Sequence, residues 1–259
     1  MLEEAPGTWS VAVVTPDGRE LFGWQPDRVL RTASSAKVLV LVAAAAAVDD
    51  GRLALDEQLS RAAVAPVGDS GIWQHLRAES LAVEDVARLI GTVSDNLATN
   101  VLIDRLGGIG AVTAVATALG NHGVDLVDIV RDHRGPGDPP TLSRGSSLGY
   151  AELFARLAAG AVGNEAVSER VLGWLGDGAD LSMVASAFGL DPLAHTHADR
   201  GMRLAHKTGT DEGVRADSGV VTLGVNTLAY SCLVEFDDVE RDTVLRTMRA
   251  VGDAVRAAL

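Results

Sequence analysis

A serine and a lysine spaced one helical turn apart are the first residues that could do chemistry together. They are Ser34 and Lys37, in the run Ser34-Ser35-Ala36-Lys37. On a helix this spacing places the hydroxyl and the amine on one face, with the hydroxyl beside free backbone N–H groups that stabilise an oxyanion. Burial would lower the pKa of Lys37 and make it a general base. The structural alternative, which the pair alone favours, is a serine that caps the helix and a lysine that extends to solvent.

The second candidate group is Ser94-Asp95-Asn96, at a break between two predicted helices. Ser94 could relay a proton, and Asn96 could offer its amide to a substrate carbonyl. Because Ser, Asp and Asn are all good helix N-caps, this group by itself favours a plain cap of the helix predicted over residues 97–106.

The third group is Lys207-Thr208-Gly209-Thr210, at the end of a predicted strand. Gly209 would let a ligand approach the backbone closely, and Lys207 and Thr208 can hold a carboxylate. The alternative is an ordinary strand end followed by a turn glycine.

Strand patterns at both ends of the chain and helical patterns between them must position these groups. Residues 9–14 and 20–24 predict a hairpin, and residues 202–208, 218–223 and 227–236 predict three more strands. Helical periodicity covers residues 81–93, 97–106, 111–119, 148–159, 165–175 and 239–259. Neither strand set is stable alone, so we expect the two ends to share one sheet, with a helical subdomain inserted between its strands.

Composition restricts the classes of partner. The chain has 259 residues, with 35 acidic and 22 basic side chains and a net charge of -13, so we expect neither a nucleic acid nor an anionic membrane surface as a partner. The longest apolar run, residues 38–48, is shorter than the roughly 20 residues that span a bilayer and predicts a core helix instead.

Nothing in the sequence indicates a metal or an organic cofactor. The single cysteine excludes multi-cysteine metal sites, and the pair His195 and His197 has no third ligand at convincing spacing. The first seven residues lack the features of a signal peptide. The expectation is therefore a cytoplasmic protein, or an exported one if a leader was removed before the first residue.

Together, in this order and at separations of about 60 and about 110 residues, the three groups match the motifs S-x-x-K, S-D-N and K-T-G. The sequence resembles the serine β-lactamase and penicillin-binding protein superfamily, most closely its class A β-lactamase branch, over nearly the whole chain. The resemblance implies an α/β (α+β) fold of the β-lactamase/transpeptidase type: a mostly antiparallel five-stranded sheet flanked by terminal helices, with an inserted all-α subdomain. It implies one domain over residues 1–259, with the α/β part at about 1–50 and 195–259 and the helical subdomain at about 51–194.

The resemblance also implies a role for each residue of the first two motifs. Ser34 would be the nucleophile that becomes acylated, and Lys37 would take its proton. Ser94 would pass a proton to the leaving nitrogen. Asn96 would hold both Lys37 and the amide of the substrate's side chain.

In the third motif the implied role is substrate binding. Lys207, Thr208 and Thr210 would bind the substrate carboxylate, and the backbone N–H groups of Ser34 and Thr210 would form the oxyanion hole. Arg215 would add a second positive charge for the carboxylate. A salt bridge between Arg215 and Asp217 is an equally good interpretation.

One departure from the class A pattern bears on turnover. Class A enzymes carry a glutamate in an Ω-loop, within E-x-x-x-N, that activates the water for deacylation. The corresponding stretch here, residues 125–147, contains no glutamate. Asp132 and His133 are the candidate substitutes, although an aspartate is a methylene shorter and would have to be aimed differently. We therefore expect intact acylation, with deacylation that is slow or uses another base.

Three functions follow as hypotheses. The first is a cofactor-free, monomeric serine β-lactamase acting on a small β-lactam. The second is a DD-peptidase or esterase acting on an acyl-D-Ala-like substrate, which the missing glutamate favours. The third is a β-lactam-binding protein that is acylated once and does not turn over.

Overall fold

The computed structural model describes residues 1–195 and 197–259. Its strands are β1 (Thr8–Val14), β2 (Glu20–Trp24), β3 (Leu30–Arg31), β4 (Gln58–Ser60), β5 (Ser80–Ala82), β6 (Val124–Leu126), β7 (Ser143–Gly145), β8 (Met202–Asp211), β9 (Val214–Leu223) and β10 (Asn226–Glu235). Its helices are α1 (Lys37–Asp49), α2 (Val83–Val93), α3 (Asn96–Arg105), α4 (Ile109–Ala118), α5 (Ser147–Ala158), α6 (Glu165–Gly176) and α7 (Arg241–Ala257).

The two ends of the chain form one antiparallel sheet, as the strand patterns predict. Its order is β2-β1-β10-β9-β8, so the N-terminal hairpin pairs with the last strand, and β8 lies at the edge. The predicted fold class, an α/β protein with a mostly antiparallel five-stranded sheet, is confirmed. The edge position of β8 is important for the site, because alternate backbone groups of an edge strand have no strand partner.

Helices cover both faces of this sheet. On one face α5 packs against β1, β9 and β10, and on the other α7 packs against β10 and the turn at Val184–Phe188. Only the C-terminal helix flanks the sheet from a chain end, because the residues before β1 form turns and bends rather than a helix. The inserted part is mainly helical but also holds the short strands β3 to β7.

The apolar run predicted to be a core helix is α1, and it is central to the helical part. Every residue from Lys37 to Ala47 is buried, and α1 contacts α6, α4, α2 and α3. A helix that is apolar on all sides has to be enclosed in this way. These contacts group α1 with the helical part of the molecule. The subdomain boundary predicted at about residue 50 would group it with the sheet.

Among the described residues no single helix is long and apolar enough to cross a membrane. Helices α3 and α4 pass the same test of length and composition only when taken together, and they meet at a bend of 78°.

The sheet approaches the start of α1 most closely at Gly209. A Cβ at this position would overlap the carbonyl oxygen of Thr32 and would lie 2.8 Å from Ser35 Oγ. The absence of a side chain therefore lets β8 lie directly against the segment that carries Ser34. This corrects the role predicted for Gly209: the space over it is filled by the protein's own backbone rather than by a ligand.

Replacing Gly209 with alanine should push β8 away from this segment. We expect Gly209→Ala to lose about 1–3 kcal/mol of unfolding free energy through overpacking, measured by urea denaturation. Gly173→Ala is the matched control, because a Cβ there meets nothing within 4 Å in helix α6. It should leave the stability unchanged or raise it by up to about 1 kcal/mol. A Gly209→Ala protein as stable as the control would contradict the close-approach argument.

Candidate active site

Ser34 lies in a single 3-10 turn, Ala33–Ala36, that leads into α1. The residue before it, Ala33, has a positive φ of 46°, a conformation that costs an L-residue energy and persists only when its surroundings enforce it. The Ala33 carbonyl accepts a hydrogen bond from Ser143 Oγ at 2.6 Å. Ser143 Oγ also shares a bond with Thr32 Oγ1, which accepts from Tyr150 Oη, each at 2.8 Å. This buried network holds the turn, and no motif in the sequence indicated it.

Lys37 is completely buried beneath the turn, and its ammonium group donates to three oxygens of the second motif. Lys37 Nζ lies 2.7 Å from Asn96 Oδ1, 2.6 Å from the Ser94 carbonyl oxygen and 3.3 Å from Ser94 Oγ. Asn96 Nδ2 donates in turn to the Gly68 carbonyl oxygen at 2.8 Å, which fixes the direction of the amide. The alternative in which Lys37 extends to solvent is therefore wrong.

A second buried lysine approaches the same hydroxyl from the other side. Lys207 Nζ lies 3.0 Å from Ser94 Oγ and 2.9 Å from the Thr208 carbonyl oxygen. The Ser94 hydroxyl thus bridges the first and third motifs. Lys37 and Lys207 are the only lysines in the sequence, since every other basic residue besides histidine is an arginine. Of the two cations, only lysine can lose its proton in a protein, so its use at these two positions suits a site that moves protons.

Burial lowers the pKa of both lysines, and the charge of Lys207 lowers that of Lys37 further. For Lys37, burial is the largest cause and the charge of Lys207 the next, and together they place its pKa well below the usual 10.5, although Asp95 and Asp69 oppose them. Burial lowers the pKa of Lys207 to about 8, while Asp180 and Asp217 act in the opposite direction. A lowered pKa makes it easier for Lys37 to lose its proton, which suits the general-base role implied for it.

Asp95 anchors the second motif. Its Oδ1 accepts from Ala98 N at 2.9 Å and so caps α3, as the N-cap interpretation predicted. Its Oδ2 accepts from the backbone N–H groups of Ile72 and Trp73, each at 2.8 Å. Ser94 adopts a left-handed φ of 56° at the end of α2, so the cap and the site use one short segment together.

Ser34 borders two adjoining cavities. The first, which we call the Lys207 cavity, has a volume of about 300 Å³, and the second, the Asp132 cavity, one of about 480 Å³. The predicted residues on the Lys207 cavity are Ser34, Ser94, Lys207, Thr208 and Thr210, and those on the Asp132 cavity are Ser34, Asn96, Asp132, His133 and Thr210. The two cavities share Ser34 and Thr210 and together form one cleft, which we call the Ser34 cleft. The structure thus brings residues of all three motifs to this cleft.

The backbone of Thr210 is placed to serve the cleft. A two-residue turn joins β8 to β9, and the register pairs Asp211 with Val214 and Thr210 with Arg215. In an antiparallel ladder, pairs that exchange hydrogen bonds alternate with pairs that do not, and the pair that closes a two-residue turn, here Asp211 and Val214, is of the bonded kind. The next pair, Thr210 and Arg215, is therefore not bonded, so the Thr210 N–H points away from β9 towards the open edge of the sheet. That direction suits the oxyanion-hole role implied for Thr210.

The structure does not bring Arg215 to the cleft, and this corrects the prediction of a second positive charge beside Lys207. Arg215 Nη1 donates to the carbonyl oxygens of Asp211 at 2.8 Å and Val214 at 2.7 Å, and its guanidinium lies over the ring of Phe236, 5.6 Å from the centroid. The short turn folds the side chain back onto its own backbone instead of towards the substrate site.

The alternative salt bridge between Arg215 and Asp217 is also wrong. Asp217 is fully buried and shares a 2.9 Å hydrogen bond with His206 Nδ1. It also accepts from Tyr230 Oη and from the backbone N–H of Ala185, each at 3.1 Å. His206 alternates with Lys207 along β8, so this network belongs to the face of the sheet that α7 covers.

The loop over residues 128–134, part of which lines the Asp132 cavity with Ser34, is held by two sets of side-chain hydrogen bonds. No pattern in the sequence predicted them. Asn100 Oδ1 and Nδ2 bind the backbone N–H and carbonyl oxygen of Val130, each at 2.9 Å. Asp128 accepts from Arg131 Nε at 2.8 Å and from Arg134 Nη1. Burial raises the pKa of Asp128, but the hydrogen bonds from these two arginines outweigh it and leave the pKa below its usual value. The loop residue that Asn100 holds in place on the Asp132 cavity is thus Val130, whose side chain carries no carboxylate. We call this pair of hydrogen bonds the clamp on Val130.

The two candidate deacylation bases lie at the exposed rim of the same cavity. Asp132 Oδ1 accepts a hydrogen bond from the Gly68 backbone N–H at 2.9 Å, and His133 is exposed. The structure therefore places both on the Ser34 cleft without selecting between them. Among the described residues, which exclude Thr196 between His195 and His197, no group of three side chains is arranged to hold a metal ion.

The comparisons with known proteins agree with this geometry. A sequence model described as the beta-lactamase enzyme family matches residues 1–259. The chain is similar to the solved beta-lactamase from Sphaerobacter thermophilus DSM 20745, with 28% identity, a TM-score of 0.79, and coverage of 97% of this chain and 91% of that one. It is similar to PBP-A, with 25% identity, a TM-score of 0.77, and coverage of 98% and 90%. An ancestral class A beta-lactamase shares the fold at 22% identity, with a TM-score of 0.79 and coverage of 99% and 96%.

The coupling between the two lysines can be measured directly. Replacing Lys207 with methionine removes a cation that lowers the pKa of Lys37, so we expect that pKa to rise. A protein labelled with 13C at the lysine side chain has two lysine signals to follow by NMR titration. Arg203→Met, which removes an exposed cation from the same strand, is the control and should leave Lys37 unchanged. If Lys37 titrates identically in Lys207→Met and in the unsubstituted protein, the coupling is absent.

Proposed function

The chain belongs to the beta-lactamase enzyme family, and we propose that it is a serine hydrolase of the class A type that opens a β-lactam amide through an acyl-enzyme on Ser34. The observation that carries this proposal is the Ser94 hydroxyl, held 3.3 Å from Lys37 Nζ and 3.0 Å from Lys207 Nζ on the cleft that Ser34 borders. A buried, readily neutralised lysine, a bridging hydroxyl and a charged lysine are the parts that acyl transfer needs.

In the proposed acylation Lys37, one helical turn after Ser34, is the base. Neutral Lys37 accepts the proton of the Ser34 hydroxyl as its Oγ attacks the amide carbonyl carbon, and the N–H groups of Ser34 and Thr210 stabilise the resulting oxyanion. Collapse breaks the carbon–nitrogen bond, and the Ser94 hydroxyl gives its proton to the leaving nitrogen. Ser94 regains a proton from the lysines that it contacts, so no metal or organic cofactor is needed.

Deacylation is the weaker half of the reaction in this proposal. The clamped loop residue on the cleft is Val130, which can neither accept nor donate a proton. The remaining candidates, Asp132 and His133, lie at the exposed rim, where water competes for their hydrogen bonds. We therefore propose a long-lived acyl-enzyme that is hydrolysed slowly.

The direct test is to incubate the protein with benzylpenicillin and follow its mass. We expect one equivalent of adduct on Ser34, identified by peptide mapping and absent in Ser34→Ala, that disappears over many times the period in which it forms. Asp132→Ala and His133→Ala, each tested alone, would show which rim residue contributes to the slow loss. Failure to form any adduct would refute the proposed function, and fast steady hydrolysis that survives both substitutions would refute the impaired deacylation.

The clamp on Val130 gives a second test. A glutamate at this position would have its backbone fixed by Asn100 and would bring a carboxylate to the Ser34 cleft, where it can take a proton from the hydrolytic water. We expect Val130→Glu to shorten the lifetime of the acyl-enzyme by at least about 100-fold, the range for a placed general base, with the acylation rate little changed. Val130→Gln is the isosteric control and should leave the adduct long-lived. Equal lifetimes in the two variants would contradict this placement.

The closest alternative is a DD-peptidase or esterase that transfers an acyl-D-Ala-like group. The lack of an Ω-loop glutamate and the similarity to PBP-A favour it. The same cleft would perform the same acylation, and the two functions differ in which acyl-enzyme is released. Faster release of a small D-alanyl ester than of benzylpenicillin would select the alternative.

A further inference from the structure

A carboxylate lies on the Lys207 cavity. Asp180 lines it together with Ser94, Lys207 and Thr208. Its Oδ1 accepts hydrogen bonds from Ser182 Oγ at 2.6 Å and from Ser182 N at 3.1 Å. The side chain is thus held on the cavity that Lys207 also lines, and no motif in the sequence marked it.

Asp180 is negatively charged at neutral pH. Burial raises its pKa, but hydrogen bonds from Ser182 and Thr208 and the nearby His206 outweigh that effect and leave the pKa below 3.8. Its charge also raises the pKa of Lys207 against the effect of burial. Arg215 is folded onto its own turn and does not line this cavity.

The charge of Asp180 works against the binding of a substrate carboxylate beside Lys207. An incoming carboxylate would be attracted by Lys207 but repelled by Asp180, so the charge of Asp180 weakens its binding. A neutral amide or ester in the same place meets no such repulsion.

We propose that Asp180 determines the charge preference of the cleft, and that the substrate group lying beside Lys207 is neutral or cationic rather than a carboxylate. The proposal rests on the proposed acylation of Ser34 and narrows its substrate class. The preferred substrate is then an acyl compound whose leaving portion ends in an amide, an ester or an amine.

The test compares two acylating compounds that differ only in this charge. Benzylpenicillin carries a carboxylate, and its carboxamide is neutral at the same position. In Asp180→Asn we expect the second-order rate constant for adduct formation to rise about tenfold with the carboxylate and to change less than about twofold with the carboxamide. Asp253→Asn, which removes one exposed charge from α7, should change neither rate.

An equal effect of Asp180→Asn on the two compounds, or a loss of acylation with both, overturns the proposal. Either result would mean that Asp180 supports the shape of the cavity rather than its charge. Asparagine keeps the size of the side chain and an oxygen for Ser182, so a general loss of structure is not expected and can be checked by thermal unfolding.

A binding measurement separates this proposal from the acyl-enzyme itself. In Ser34→Ala, with and without Asp180→Asn, the affinities of N-phenylacetyl-D-alanine and of its carboxamide are compared by calorimetry. A gain of about tenfold for the carboxylate alone supports the charge preference even where no adduct forms on Ser34. An equal gain for both ligands, or no binding of either, overturns it.

Discussion

The burial of two lysine amines against a single hydroxyl is the constraint on which this cleft depends. Lys37 and Lys207 both contact Ser94 Oγ, and both are removed from water. Two desolvated cations that contact the same hydroxyl repel each other, so the site is most stable when one of the two amines is neutral. Burial and the charge of Lys207 place the pKa of Lys37 well below its usual value, and in the proposed reaction the neutral form of Lys37 takes the proton of Ser34. The proposed chemistry is therefore a direct result of the way in which the charges are buried.

The fold provides the geometry that this constraint needs. β8 lies at the edge of the sheet, so Lys207 and Thr210 reach an open cleft. The missing side chain at Gly209 lets the strand lie against the turn that carries Ser34, and the enclosed helix α1 holds Lys37 away from solvent. Asp95 ties the second motif to the loop at Ile72 and Trp73. The positions of the lysines are thus fixed by helix, strand and loop together.

Much of the fold was predictable because it depends on local periodicity. Every strand of the sheet and every long helix lies within a few residues of its predicted range, and the three motifs converge as their order implied. The direction of Arg215 was not predictable, since it depends on the two-residue turn and the register of β8 with β9. The clamp between Asn100 and Val130 joins residues 30 positions apart, and Asp180 enters the cleft from the segment after α6. Such contacts exist only after the chain has folded, so no pattern in the sequence carries them.

The central claim is that neutral Lys37 is the base for Ser34. The most direct measurement is the rate constant for acylation of Ser34 as a function of pH, in the unsubstituted protein and in Lys37→Arg. If Lys37 is the base, the rate rises with pH as Lys37 loses its proton, with a midpoint well below 10.5. Lys37→Arg is not acylated, because a guanidinium stays charged. A rate independent of pH, or a Lys37→Arg protein that acylates as fast as the unsubstituted one, would contradict this claim.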